Sequence, residues 1–297
     1  MRISTLYMFK QSAESMSKRV SDNNDVYMRL SAGKSLLRAS DDPKGATDAV
    51  KYQDALAKLE MFRSARSDAR SALEHEDNIL SSVGNLLTTN LTEKIVAAKS
   101  DTWSDEDRAA LGKEIAGIRA NLLDLANTRD GNGRYIFSGF KTDTPAFTDA
   151  GVYQGGSQVR KQTIADDSDM PVSHLGNEVF GDIFSILDKA VEELTRDPIV
   201  KEDLDDALSA ASLAVEDGIK RLGKTQAELG TNMQQLDALD LTGDTLINDT
   251  IVKVQNAIGS DYGTMTSLIM DSKMSEYALN ASMLVFQSMQ KMNLFAK

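Results

Sequence analysis

Apolar residues three and four apart recur along this chain almost from end to end, and that spacing commits it to packed, extended helices. The first row is Leu6, Phe9, Ala13, Met16, Val20, Asn23, Tyr27 and Leu30, with Asn23 its one polar interruption. The second is Leu59, Phe62, Arg66, Ala69, Leu73, Glu76, Leu80, Val83 and Leu87, continuing loosely through Leu91 and Ile95. A third, Leu111 to Leu125, follows Ser104 and Asp107, which have the spacing of a capping box. A fourth alternates three and four from Leu208 to Leu239. The last is Met270, Met274, Tyr277, Ala281, Leu284, Ser288, Met292 and Phe295, widened by Ala278, Val285 and Met289. Gly33 reads as a helix stop, Asp41 or Asp42 as the next cap with Pro43 in the first turn, and "RDP" at 196–198 as a break.

Between the third and fourth rows the texture changes. Eight of the 19 glycines and six aromatic residues fall within 131–181. Alternation in "YIFSGF" and "QVRKQTIA", broken by glycine turns, predicts short antiparallel strands. The expected fold is mainly α: an elongated long-helix bundle or coiled-coil rod, its N- and C-terminal helices paired, with a small β insertion mid-chain. Three layers are expected: a terminal helical assembly layer of 1–45 with 255–297, an α-helical rod of 46–133 with 182–254, and a small β-rich outer domain over 134–181.

Charge separates the ends from the middle. The net charge of −12 argues against nucleic acid as a partner. Residues 1–45 carry +3 and residues 255–297 carry zero, which leaves −15 on 46–254. Acidity is therefore a solvated mid-chain surface, whereas the ends are near neutral, apolar and suited to burial. No apolar run approaches the ~18 residues that would span a membrane, so no membrane partner is expected.

Reactive chemistry is sparse. Without cysteine there is no disulfide, thiolate ligand or thiol nucleophile, and His75 and His174 are too few for a histidine metal centre. "RDGNGRY" lacks the strand, helix and lysine of a phosphate loop. "SAGK" matches S-x-x-K without the companion motifs of a serine acylase. "ADDSDMP" lacks the glycine and distal glutamate of a calcium loop. Nothing assembles a catalytic, cofactor or metal site, and the chain is expected not to be an enzyme.

Two amphipathic terminal helices on their own bury too little apolar surface to offset the entropy of ordering them. They need neighbours. The expected assembly interface is Leu6, Phe9, Ala13, Met16, Val20, Tyr27 and Leu30 at one end, and Met274, Tyr277, Ala281, Leu284, Val285, Met292 and Phe295 at the other. The loop Ser40, Asp41, Asp42 and Pro43 is expected to join that layer to the rods.

Three stretches carry a family resemblance. "RLSAGKSLLRASDDPKGA" (29–46) and "YALNASMLVFQSMQKMNLF" (277–295) resemble the terminal elements of the bacterial flagellar axial proteins, the flagellin family that includes flagellin and the hook-associated proteins. "ANTRDGNGRYIFSGFKTDTPAF" (126–147) is similar to a connector member between hook and filament, more than to flagellin. The resemblance implies a structural subunit that forms a ring of like subunits, joins hook-associated protein 1 to flagellin, and meets an export chaperone at its C-terminal helix. It also implies an extracellular place in the flagellum, reached through type III export without a cleaved signal peptide, and no cofactor. Flagellin itself and a non-flagellar coiled-coil signalling module are the alternative readings.

Overall fold

The structure, a computed structural model, describes residues 2–100 and 102–294, with side chains over 7–100 and 102–291. The chain is mainly helical. It forms two compact units: Met1–Glu60 with Asp244–Lys297, and Met61–Gly243.

In the first unit, α1 (Arg2–Ala32) pairs with α8 (Tyr262–Leu294), as the terminal rows predict. The Phe9 and Phe286 rings lie 5.1 Å apart, and the Asn23 side-chain amide donates to Ser275 Oγ at 3.2 Å. Asn23, the polar break in the first row, thus has a partner across the pair and can fix its register. The ends of these helices follow from their sequence. Gly33 closes α1: its amide donates to the Leu30 carbonyl and the Lys34 amide to the Arg29 carbonyl, each at 3.2 Å. Gly259 closes α7 (Lys201–Ile258) in the same way, with the Ser260 amide donating to the Gln255 carbonyl at 2.9 Å. Gly259 has φ +64°, and a Cβ there would stand 1.8 Å from Ser35 Oγ. Only glycine fits, because Ser35 and Leu36 donate their amides to the Gly259 and Ile258 carbonyls, both at 3.0 Å. Of the two candidate caps, Asp42 begins α2 (Pro43–Asn85): its Oδ1 accepts the Lys44 amide at 3.0 Å. Asp261 caps α8, accepting the Thr264 amide at 3.0 Å. The Thr264 hydroxyl and amide together hold that carboxyl below its usual range.

The second unit is built on α2 and α7 with α3 (Thr92–Ala98), α4 (Asp105–Ala126) and α6 (Ile183–Thr195). The Ser104–Asp107 capping box that opens α4 is formed in full. The second row explains an irregularity. From Val83 its buried residues are Leu87, Leu91 and Ile95, a step of four each time. An α-helix carries such a row round by ~40° per step, so it would leave the core within a turn or two. Leu86–Leu91 is instead wound as a wider π-helical turn, which keeps the row facing inward.

Residues 127–182 are mostly turns and loops. The predicted strand in "QVRKQTIA" is present as β1 (Lys161–Ala165), paired antiparallel with β2 (Ser168–Pro171) with Lys161 opposite Pro171. A one-turn helix, α5 (Gly176–Val179), follows. "YIFSGF" differs from expectation: Ile136–Ser138 is a single 3-10 turn. All three of its residues are buried, and a strand would turn alternate ones outward. The aromatics of this segment join the helical core. Phe147 lies 5.0 Å from Phe184 on α6 and 5.7 Å from Phe180, and Phe137 lies 5.5 Å from Phe180.

Two charged members of the second row tie this segment down. Arg66 is 4% exposed; its Nε donates to Asp240 and its Nη1 to the Ile164 carbonyl of β1 at 3.2 Å. Glu76 is fully buried, and its Oε1 accepts both the His174 amide and His174 Nδ1 at 3.0 Å.

Candidate functional site

The surface of interest is the α1–α8 pair, because of what it leaves uncovered. Among the described residues no apolar side chain of α1 is buried, and Leu268 is the one buried on α8. The second unit, by contrast, has a continuous core from Ala69 to Leu236.

The residues expected at the interface fall into two groups. On α1, Phe9, Ala13, Met16 and Leu30 are half-buried, while Val20 and Tyr27 are 42% and 45% exposed. On α8, Met274, Tyr277 and Leu284 are each about 70% exposed, and Ala281 and Val285 also face solvent. The α8 row read from the sequence therefore does not pack within the chain. The Leu6 and Met292 side chains, and Phe295 altogether, lie outside the described residues. Ser40, Asp41, Asp42 and Pro43 are all exposed, and Arg38 donates its amide to Asp41 Oδ2 at 3.1 Å.

A different row covers the inner side of α8: Leu268, Ser272, Ser275, Leu279, Ser282 and Phe286, spaced four and three in turn. All are buried or half-buried. Hydropathy passes over this row because three of its six members are serine. Its signal was the strict heptad spacing, in which small side chains let two helices approach closely. So α8 presents two heptad rows, one occupied by α1 and one free.

Tyr7, Met8 and Met28 extend the free surface on α1, as Ile269, Met270 and Met283 do on α8. Between the helices a groove of about 520 Å³ runs from Met8 and Ser12 to Val285 and Met289. Lys273 and Glu276, paired at 3.1 Å, and the exposed Asp271 are the charged residues within this stretch of α8. The free row of α8 has the chemistry of a packing surface, long and apolar, while the charges of α1, Arg19 at the groove among them, stand beside it.

Residues 3–142 match the family model for the bacterial flagellin N-terminal helical region. Flagellar hook-associated protein 3 of Escherichia coli (strain K12) is 33% identical, with 99% of each chain covered. Flagellar hook-associated protein 3 of Salmonella typhimurium is 32% identical over 99% of each. Among solved structures, a putative flagellar hook-associated protein from Vibrio parahaemolyticus superposes with a TM-score of 0.65 at 21% identity, covering 74% of this chain and 99% of that one, a likeness of fold. A chain that matches such relatives from end to end at this level belongs to the flagellar hook-associated protein 3 family.

Proposed function

We propose that this protein is the structural junction of the bacterial flagellum, its copies forming a ring that joins the hook, through hook-associated protein 1, to the flagellin filament. The observation that carries the reading is the free heptad row on α8, Met270, Met274, Tyr277, Ala281 and Leu284, beside an α1 with no buried apolar side chain among the described residues. Such a pair gains most of its stability only when copies stand alongside and remove that surface from water. In this reading residues 1–45 and 255–297 form the assembly layer, Ser40–Pro43 joins it to the rod of 46–133 and 182–254, and 134–181 is the outer part. Family membership, a chain without cysteine and the apolar free row of α8 support export through the type III apparatus, with a chaperone shielding α8 until assembly.

The test is polymerisation. Purified chain should remain short of long filaments under conditions in which purified flagellin polymerises. A strain lacking the gene should release unassembled flagellin into the medium. Long filaments of this chain alone would make it a filament subunit, and normal filaments in the deletion strain would remove it from the junction.

A further inference from the structure

Arg160 is a cation without an acceptor. It stands immediately before β1, where its carbonyl accepts the Val172 amide at 3.0 Å. Its side chain lines a cleft of about 490 Å³ in the Met61–Gly243 unit, within the range of small-ligand sites. Arg160 Nε is shut off from solvent with no hydrogen-bond partner, and among the described residues no carboxylate pairs with its guanidinium.

The acids nearby are otherwise engaged or too far away to pair. Asp130 Oδ1 accepts the Asn132 and Arg134 amides at 2.9 and 3.0 Å, and its Oδ2 accepts Arg134 Nε at 2.9 Å. Glu76 Oε1 is held by His174, and its buried Oε2 makes no hydrogen bond, so it acts on Arg160 only through space. Asp68, on the rim, is exposed and unpaired. Burial, and then the like charge of Arg134, push the Arg160 guanidinium below its ordinary pKa, outweighing the through-space pull of Asp130 and Glu76. Of the remaining polar groups of the cleft, His75, Asn132 and Gln162 carry N–H donors, and the Ser71 hydroxyl donates to the Ser67 carbonyl at 3.0 Å.

We propose that this cleft is a binding site for an oxyanion, a carboxylate or phosphate group held by the Arg160 fork with Arg134 beside it. The guanidinium's planar pair of donors matches either group, and a poorly hydrated cation gains more from an anion than a solvated one does. The site lies within the Met61–Gly243 unit and includes no residue of α1 or α8. Its success or failure is therefore independent of the junction reading.

The experiment follows the Arg160 side-chain Nε–H resonance of the full-length labelled chain. Sodium acetate is titrated in, and separately inorganic phosphate, against sodium chloride at matched ionic strength. Saturable shifts with acetate, phosphate or both are expected, and the arms distinguish the two sources. Amide resonances of residues 130–134 and 160–162 should shift with the same midpoint. R160Q should weaken binding about tenfold or more, whereas K161Q, one residue along and exposed, should change it less than about twofold. If R160Q does not fold, R160K keeps the charge but loses the fork, and should still weaken binding several-fold. Shifts equal to those in chloride, or equal losses from R160Q and K161Q, would reduce the site to diffuse surface charge and overturn the proposal.

Discussion

Replacing His174 with alanine is expected to destabilise the Met61–Gly243 unit by about 3–5 kcal/mol, the usual cost of stranding a buried charge. Glu76 is fully buried on α2, and its Oε1 holds two donors, both from His174. Glu228 lies 3.5 Å from the other ring nitrogen, so both faces of the imidazole meet carboxylates. Removing the ring leaves Glu76 with one backbone amide and without the cation that is hydrogen-bonded to it. The check is a denaturant melt of the variant beside the parent chain. Replacing both residues by leucine should recover much of the loss, because it removes the stranded charge along with its partner. An unchanged midpoint in His174→Ala would mean that the pair holds nothing together.

The same pair gives a pH dependence with a definite sign. Burial alone would lower the His174 pKa, but the hydrogen bond and charge of Glu76, with Glu228 and Glu178, raise it above the ordinary 6.5. A group whose folded pKa is raised adds stability that is whole below its unfolded value and disappears as pH rises through the folded one. The melting temperature of this unit should therefore fall as pH climbs from about 6.5 through the raised value, and His174→Gln should flatten that slope.

Leu284→Asp is expected to abolish incorporation into flagella while leaving the Met61–Gly243 unit as stable as before. Leu284 is 68% exposed in the single chain, so the change there is worth within about 0.5 kcal/mol. Between packed copies the carboxylate would be buried without a partner, at a cost of several kcal/mol, roughly 2–7 by transfer of polar groups and more for a charge. Phe9→Asp should fail at an earlier step, since Phe9 packs on Phe286 within the chain and its loss separates α1 from α8. The two are told apart by an α1–α8 cross-link, which Leu284→Asp should leave intact. Normal swimming with Leu284→Asp would take that row out of the interface.

The helices were legible because their signals are local. Heptad spacing, the Ser104 box, the Gly33 stop and Pro43 each act within a turn or two, and each falls where the sequence puts it. "YIFSGF" misleads because its alternation is not one of burial: three consecutive residues sink into the core. Arg66 and Glu76 looked like blemishes in an apolar row. Their partners, the Ile164 carbonyl and His174, lie 98 residues further along, a separation that no local pattern spans. The inner row of α8 was hidden by its serines, and the free row was visible because it is the more hydrophobic of the two.

What decides the matter is amide exchange in the dilute, unassembled chain. Residues 2–40 and 258–294 should exchange fast and the buried stretches of α2, α4 and α6 slowly, because only the latter have a core of their own. Slow exchange across α1 and α8 in that monomer would contradict a terminal pair that depends on neighbouring copies to become solid.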